Sequence, residues 1–185
     1  GVAPDLACFG KALGCGMPVA AVGGRREVMK HLSPVGDVEM AGTNTGRNLT
    51  ILGSLAGLQV VGAPGFHQEL QRLEDRFVQG CRAVLSAHGV PGYVTGTGGT
   101  IGVYMGTTER PRSFRDVVAR WNRPYQAACY RAAHESHGLY GFLLPQADCP
   151  EAVVLSTEHT PAVIDETLDR FDRVLASIPY FEKDR

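Results

Sequence analysis

The sequence predicts an α/β fold. Short apolar runs that stop at glycine alternate with longer segments whose apolar residues recur every three or four positions, and those longer segments carry recognisable helix start and stop residues. At 185 residues with 44% hydrophobic content, the chain accommodates one or two domains with a core of ordinary size.

Leu6 to Phe9 is short, apolar and followed by Gly10, which suits a buried strand, and Pro18 to Val22 reads as the next one. Arg25 to Leu32 is a short helix stopped by Ser33-Pro34. Val35 to Asn48, rich in Gly, Thr and Asn, is a loop long enough to be functional. Leu49 to Val61 is a helix apolar nearly all round, so full burial is expected, with Gly53, Ser54, Ala56 and Gly57 permitting close packing. Ala63-Pro64-Gly65 breaks it. Phe66 to His88 then places Phe66, Leu70, Leu73, Phe77, Cys81 and Val84 on one face, closed by Gly89.

Val90 to Thr95 and Ile101 to Met105 alternate as two strands joined by Gly96 to Gly99. That run is not a dinucleotide fingerprint, because Ile101 occupies its last glycine position and a strand follows. Glu109 to Trp121 is polar and Arg-rich, a surface stretch with a helix from Phe114. Asn122 caps a helix with Pro124 at its first position and Tyr125, Ala128, Cys129 and Ala132 inward, ending at Gly138. Leu139 to Leu144 and Ala152 to Ser156 read as strands. The last helix begins with Thr160 as cap and Pro161 in its first turn, and turns Ile164, Leu168, Phe171, Leu175 and Ile178 inward.

Composition excludes several classes of function. A net charge of −1 with dispersed basic residues gives no electrostatic footprint for nucleic acid or an acidic membrane, and no apolar run approaches the ~20 residues of a membrane span. Five cysteines without Cys-x-x-Cys pairing read as reduced thiols in a cytoplasmic protein. His134 and His137, three apart on one helix without a third ligand nearby, form a solvated pair and no metal is assigned. His159 is read as making a hydrogen bond near the last helix cap.

Lys11 is the only charged side chain between Asp5 and Arg25, among Leu6, Phe9, Leu13 and Val19, with Gly10, Gly14 and Gly16 close by. A lysine in apolar surroundings finds a partner, loses its proton, or reaches water along its stem. A deprotonated amine condenses with carbonyl compounds, and the glycines let a flat ring and a phosphate approach the backbone. The alternative is a surface lysine on a Gly-rich turn. A phosphate-binding P-loop is a weaker reading still, since Asp5 stands at its first glycine position and Ala12 follows the lysine.

Gly1 to Leu6, Phe9-Gly-Lys-Ala-Leu-Gly-Cys-Gly-Met-Pro-Val19 and Gly23 to Met29 together resemble the Schiff-base segment of class III, subgroup II, aminotransferases. They look most like glutamate-1-semialdehyde 2,1-aminomutase and related β-amino acid aminotransferases. The likeness continues through Ala41 to Thr50 and Leu155 to Thr160. It implies the fold type I architecture of pyridoxal-phosphate-dependent transferases. Residues 1–65 would be the C-terminal part of the large cofactor domain and residues 66–185 a small α+β domain.

The resemblance further implies that Lys11 forms the Schiff base with pyridoxal 5′-phosphate and shuttles the substrate proton. Thr43 would contact the phosphate across a homodimer interface, although Arg47 and Asn48 stand where Asn and Pro are usual. The substrates implied are an amino acid and an amino-aldehyde or keto acid. The likeness begins just before the cofactor lysine, so the residues that pair with the pyridinium nitrogen and stack on the ring lie upstream of it, and the chain reads as a fragment starting inside a longer frame. A different class of reading follows: a fragment that is not an enzyme by itself and serves only as a structural or interaction domain.

Overall fold

The computed structural model describes residues 1–146 and 149–183. It divides into two compact units, Gly1–Phe66 and His67–Arg185.

In the first unit, β1 (Leu6–Phe9) pairs antiparallel with β2 (Ala21–Gly24), Leu6 opposite Gly24 and Phe9 opposite Ala21. Between them lies one 3-10 turn, Lys11–Gly14. β2 sits three residues later than Pro18 to Val22, because Pro18 lacks an amide hydrogen and Val19 is used in a tight turn with Met17. At the open end of the pair, Arg25 donates its backbone N–H to the Asp5 carbonyl and its Nε to the Asp5 carboxylate, both at 3.0 Å. A short helix α1 (Arg26–Met29) and a loop follow, and then α2 (Asn48–Val61). The loop to residue 47 is irregular as expected, apart from one bridge between Leu32 and Val38.

Two expectations of burial are reversed here. Leu6 and Phe9 of β1 are exposed. On α2 the only buried residues are Thr50 and Ser54, while Leu49, Leu52, Leu55, Leu58 and Val60 face outward. The small residues of α2 are the ones that meet the turn between β1 and β2, and a single two-stranded ribbon offers no second layer to cover the rest.

The second unit is an α+β layer around one core. β3 (Gly92–Thr97) and β4 (Thr100–Met105) form a hairpin, and β5 (Val153–Val154) adds to β4 antiparallel at its first residues. The turn is Gly98-Gly99, both at positive φ, as a two-residue hairpin turn of the primed type requires. Both strands therefore run longer into the Gly run than their alternation suggests. The hairpin is held by α3 (Phe66–Ala87): buried Glu74 accepts from the Gly99 N–H at 2.6 Å.

α4 (Phe114–Arg120), α5 (Arg123–Ser136) and α6 (Pro161–Ser177) complete the unit. Leu73, Phe77 and Cys81 of α3, Tyr125 and Cys129 of α5, and Ile164, Phe171 and Leu175 of α6 enter the core as their periodicity predicts. Pro124 is the second residue of α5 and Asn122 caps it, accepting from the Tyr125 N–H. Thr160 caps α6 by accepting from the Val163 N–H.

Leu139 to Leu144 is a turn and not a strand. Gly138, Gly141 and Leu143 all have positive φ, and Leu139, Phe142 and Leu143 point into the core. Phe142 stacks edge-on between Phe77 and Phe171, at 5.9 and 5.0 Å between ring centres. Local apolar content alone cannot separate such a packed turn from a strand. The strand expected at Ala152 to Ser156 shrinks to the two residues of β5.

Burial pushes the Cys129 thiol up to about 11 and the Cys81 thiol higher still, so both are protonated near neutral pH. With Ellman's reagent at pH 8 the exposed Cys8 and Cys15 are expected to react in the native chain, and Cys81 and Cys129 only after unfolding. Asn122→Ala removes both the α5 cap and a 2.6 Å bond from its Nδ2 to the Phe181 carbonyl; urea unfolding should show a loss of about 1–3 kcal/mol.

Candidate functional site

Lys11 opens the 3-10 turn with φ of 51°, a left-handed conformation that costs a non-glycine residue about 1–2 kcal/mol. Gly10 before it is extended and Cys15 after the turn is again left-handed, at φ 47°. Such strain persists only where surrounding contacts hold it, and it concentrates at functional positions. Lys11 is exposed, and among the described residues its amine makes no hydrogen bond and no ion pair. The lysine stem thus reaches water.

The contacts that hold the turn come from α2. Ser54 Oγ donates to the Leu13 carbonyl at 2.5 Å across 41 positions of sequence. A Cβ on Gly57 would lie 1.7 Å from Cys15 Sγ, and one on Gly53 would lie 2.8 Å from Met17 Cγ. The turn thus rests in a notch cut by the missing side chains of Gly53 and Gly57, with Ser54 at its base. The small residues of α2 were legible as permitting close packing; the partner they pack against was not.

Thr43 lies in the loop before α2, and with Gly42, Asn44, Thr45, Gly46, Thr50 and Ile51 it lines an open cavity of about 410 Å³ walled on the other side by Pro18, Val19 and Ala20. Lys11 is not among its lining residues. The structure therefore gives Lys11 and Thr43 separate places, one on the turn and one in the cavity. The Thr43 hydroxyl makes no hydrogen bond among the described residues, while its carbonyl accepts from Arg47 Nε at 3.2 Å. Arg47 thereby braces the loop at the N-terminus of a 14-residue helix, where unpaired N–H groups and the helix dipole favour an anion.

Each place suits one end of a phosphate-bearing aldehyde: the turn offers a primary amine that condenses with a carbonyl, and the cavity offers hydroxyl, amide and backbone donors beside Arg47 for a phosphate. Asp5 is engaged by Arg25 at the sheet end and is not free to serve a ring nitrogen. The second unit holds the remaining polar candidates. His159 Nδ1 accepts from the Ser156 N–H at 3.0 Å, the cap-region bond expected of it. His134 packs near the rings of Tyr130 and Tyr140. No group of His, Cys, Asp and Glu among the described residues is arranged to hold a metal. Among the described residues, no single helix is long and apolar enough to cross a membrane.

The model of the class-III aminotransferase family matches residues 1–139, and the chain belongs to that family. An omega-transaminase from Sphaerobacter thermophilus is similar over 94% of this chain and 38% of its own, with 27% identity and a TM-score of 0.81. A β-phenylalanine aminotransferase from Variovorax paradoxus matches at 25% identity and a TM-score of 0.71, again over 94% of this chain and 38% of its own. The fold, though not more, is shared with the FumI protein of Sphingopyxis sp. MTA144, solved as its pyridoxal phosphate internal aldimine, at 20% identity and a TM-score of 0.75 over 94% of this chain and 37% of its own. The α/β class and the transaminase fold are thus established. The chain spans about two-fifths of the length of these solved relatives.

Gly57→Val would drive a branched side chain into Cys15. It is expected to lower stability by about 1–3 kcal/mol in urea unfolding and to expose the turn to limited proteolysis, with cleavage mapping between residues 11 and 17.

Proposed function

We propose that this chain carries the cofactor lysine of a pyridoxal-phosphate-dependent aminotransferase, with Lys11 as the residue that holds the cofactor. The observation that carries the reading is Lys11 itself: an unpartnered, exposed amine on a strained turn in a chain of the class-III family. Pyridoxal phosphate, when bound, supplies the electron sink that makes a substrate Cα–H acidic. Lys11 would then act as general base and acid, taking the proton from the substrate Cα and delivering it to the carbon two atoms away, beyond the bridging nitrogen. Its exposure leaves room for substrate, and the glycines around it leave room for a flat ring.

Thr43, with the cavity at the start of α2, is proposed to take the phosphate of a second copy. That assignment explains why it lies in a cavity of its own, and why the apolar side of α2 is exposed. The proposed assembly is a homodimer, its chains meeting along surfaces that include Leu49, Leu52 and Leu55. Residues 1–65 correspond to the end of the large cofactor domain and 66–185 to the small one. The free thiols suit a cytoplasmic setting.

The substrates proposed are an amino acid donor and a keto acid acceptor. The names of the two neighbours at 25% identity or above favour transfer between molecules, with a β-amino acid or a terminal amine as donor, over an aminomutase of the glutamate-1-semialdehyde type. Dependence on an added keto acid separates the two, since a mutase needs none. The exposed face of α2 equally favours the reading in which the chain alone is only an interaction domain.

Incubation with pyridoxal 5′-phosphate, borohydride reduction and peptide mapping decide between them. A phosphopyridoxyl label confined to Lys11, and lost in Lys11→Ala, is expected. Labels scattered equally over Lys30 and Lys183 would leave the interaction domain as the surviving account.

A further inference from the structure

Serine inside a helix ordinarily turns its hydroxyl back to a carbonyl three or four residues earlier. Thr50 and Thr167 do this, donating to the Arg47 and Val163 carbonyls at 2.7 and 2.8 Å. Ser54 does not. It is buried at 5% exposure, and its hydroxyl reaches out of α2 to the carbonyl of Leu13. That carbonyl has no backbone N–H donor among the described residues: the turn's own amides, those of Leu13, Cys15 and Met17, go to Gly10, Ala12 and Gly14. The bond is half-buried, where a carbonyl without a donor carries a cost, and Ser54 completes the turn's hydrogen bonding from outside.

Leu13 is two residues from Lys11, inside a turn with left-handed residues at both ends. Gly53 and Gly57 lie one residue before and three residues after Ser54, and they supply the clearance for the approach. Three positions of one helix are thus committed to a seven-residue segment, and only one of them supplies a polar bond.

We infer that Ser54 is the positioning residue of the lysine turn: by holding the Leu13 carbonyl it fixes the left-handed backbone of Lys11 and so the direction in which the amine is presented. The consequence for amino-group transfer rests on the assignment of Lys11 proposed above. The effect on the turn does not.

The test uses the full chain with Ser54→Ala, which keeps the helix and loses the donor, and Ser54→Cys, which keeps a weak donor of similar size. Amide hydrogen exchange is read at Leu13, Cys15 and Met17, with the β1 and β2 amides as reference. Trace acetylation is read at Lys11 against Lys30 and Lys183, and the phosphopyridoxyl label at Lys11 is measured across pH 6 to 10. In Ser54→Ala, exchange at the three turn amides is expected to rise about fivefold with the strands unchanged. Lys11 acetylation relative to the reference lysines should change, and the pH midpoint of its labelling should move, with Ser54→Cys falling between.

Unchanged turn exchange and unchanged Lys11 acetylation in Ser54→Ala would overturn the inference. So would an equal rise in the strand amides, which marks general loosening. Should the parent chain place no cofactor label on Lys11, the assignment of that lysine fails, while exchange and acetylation still judge Ser54.

Discussion

The first unit depends on how closely a turn approaches a helix. The turn from Leu13 to Met17 lies against α2 only because Gly53 and Gly57 leave room for the Met17 and Cys15 side chains, and Ser54 converts that nearness into a hydrogen bond to the Leu13 carbonyl. Two left-handed residues, Lys11 and Cys15, are the local cost of bending the chain so tightly. Remove the clearance and the turn has nowhere to lie; remove the bond and it loses its one polar anchor on the helix. The unusual burial of α2 follows, with its smallest residues inward and its leucines outward.

The second unit is built on a more ordinary constraint, the filling of one core by three long helices and a short sheet. Phe142 enters that core from a turn and lodges edge-on between Phe77 and Phe171, which fastens α3 and α6 through aromatic contact. Polar groups inside it are matched. Trp121 donates to Gln126, Gln126 donates to the Leu143 carbonyl, and Glu74 takes the hairpin amide. Arg76 of α3 with Asp165, and His88 just past the end of α3 with Asp172, add pairs to α6 at the surface, where such pairs contribute little to stability. No buried side-chain nitrogen or oxygen among the described residues lacks a partner.

For chemistry, the division of labour is clear. An exposed amine on a flexible four-carbon stem is suited in general to carrying a proton, and Lys11 is such an amine. A helix N-terminus braced by Arg47 is a good place for an anion, because donors and dipole point the same way. The two features lie in one unit but not in one cavity.

By itself the sequence determined the elements whose information is local. The caps Asn122 and Thr160, the periodic faces of α3 and α6 and the hairpin glycines could all be read from neighbours within a turn or two, because capping, periodicity and positive φ act at that range. The tertiary structure alone decided what depends on partners far away in the chain. Leu139 to Leu144 packs as a turn because the core needs Phe142 between two rings; α2 exposes its leucines because its near neighbour is a turn that wants glycine and serine. Ser54 was visible as a small residue, and only the fold, which brings Leu13 to it from 41 positions away, reveals it as a donor.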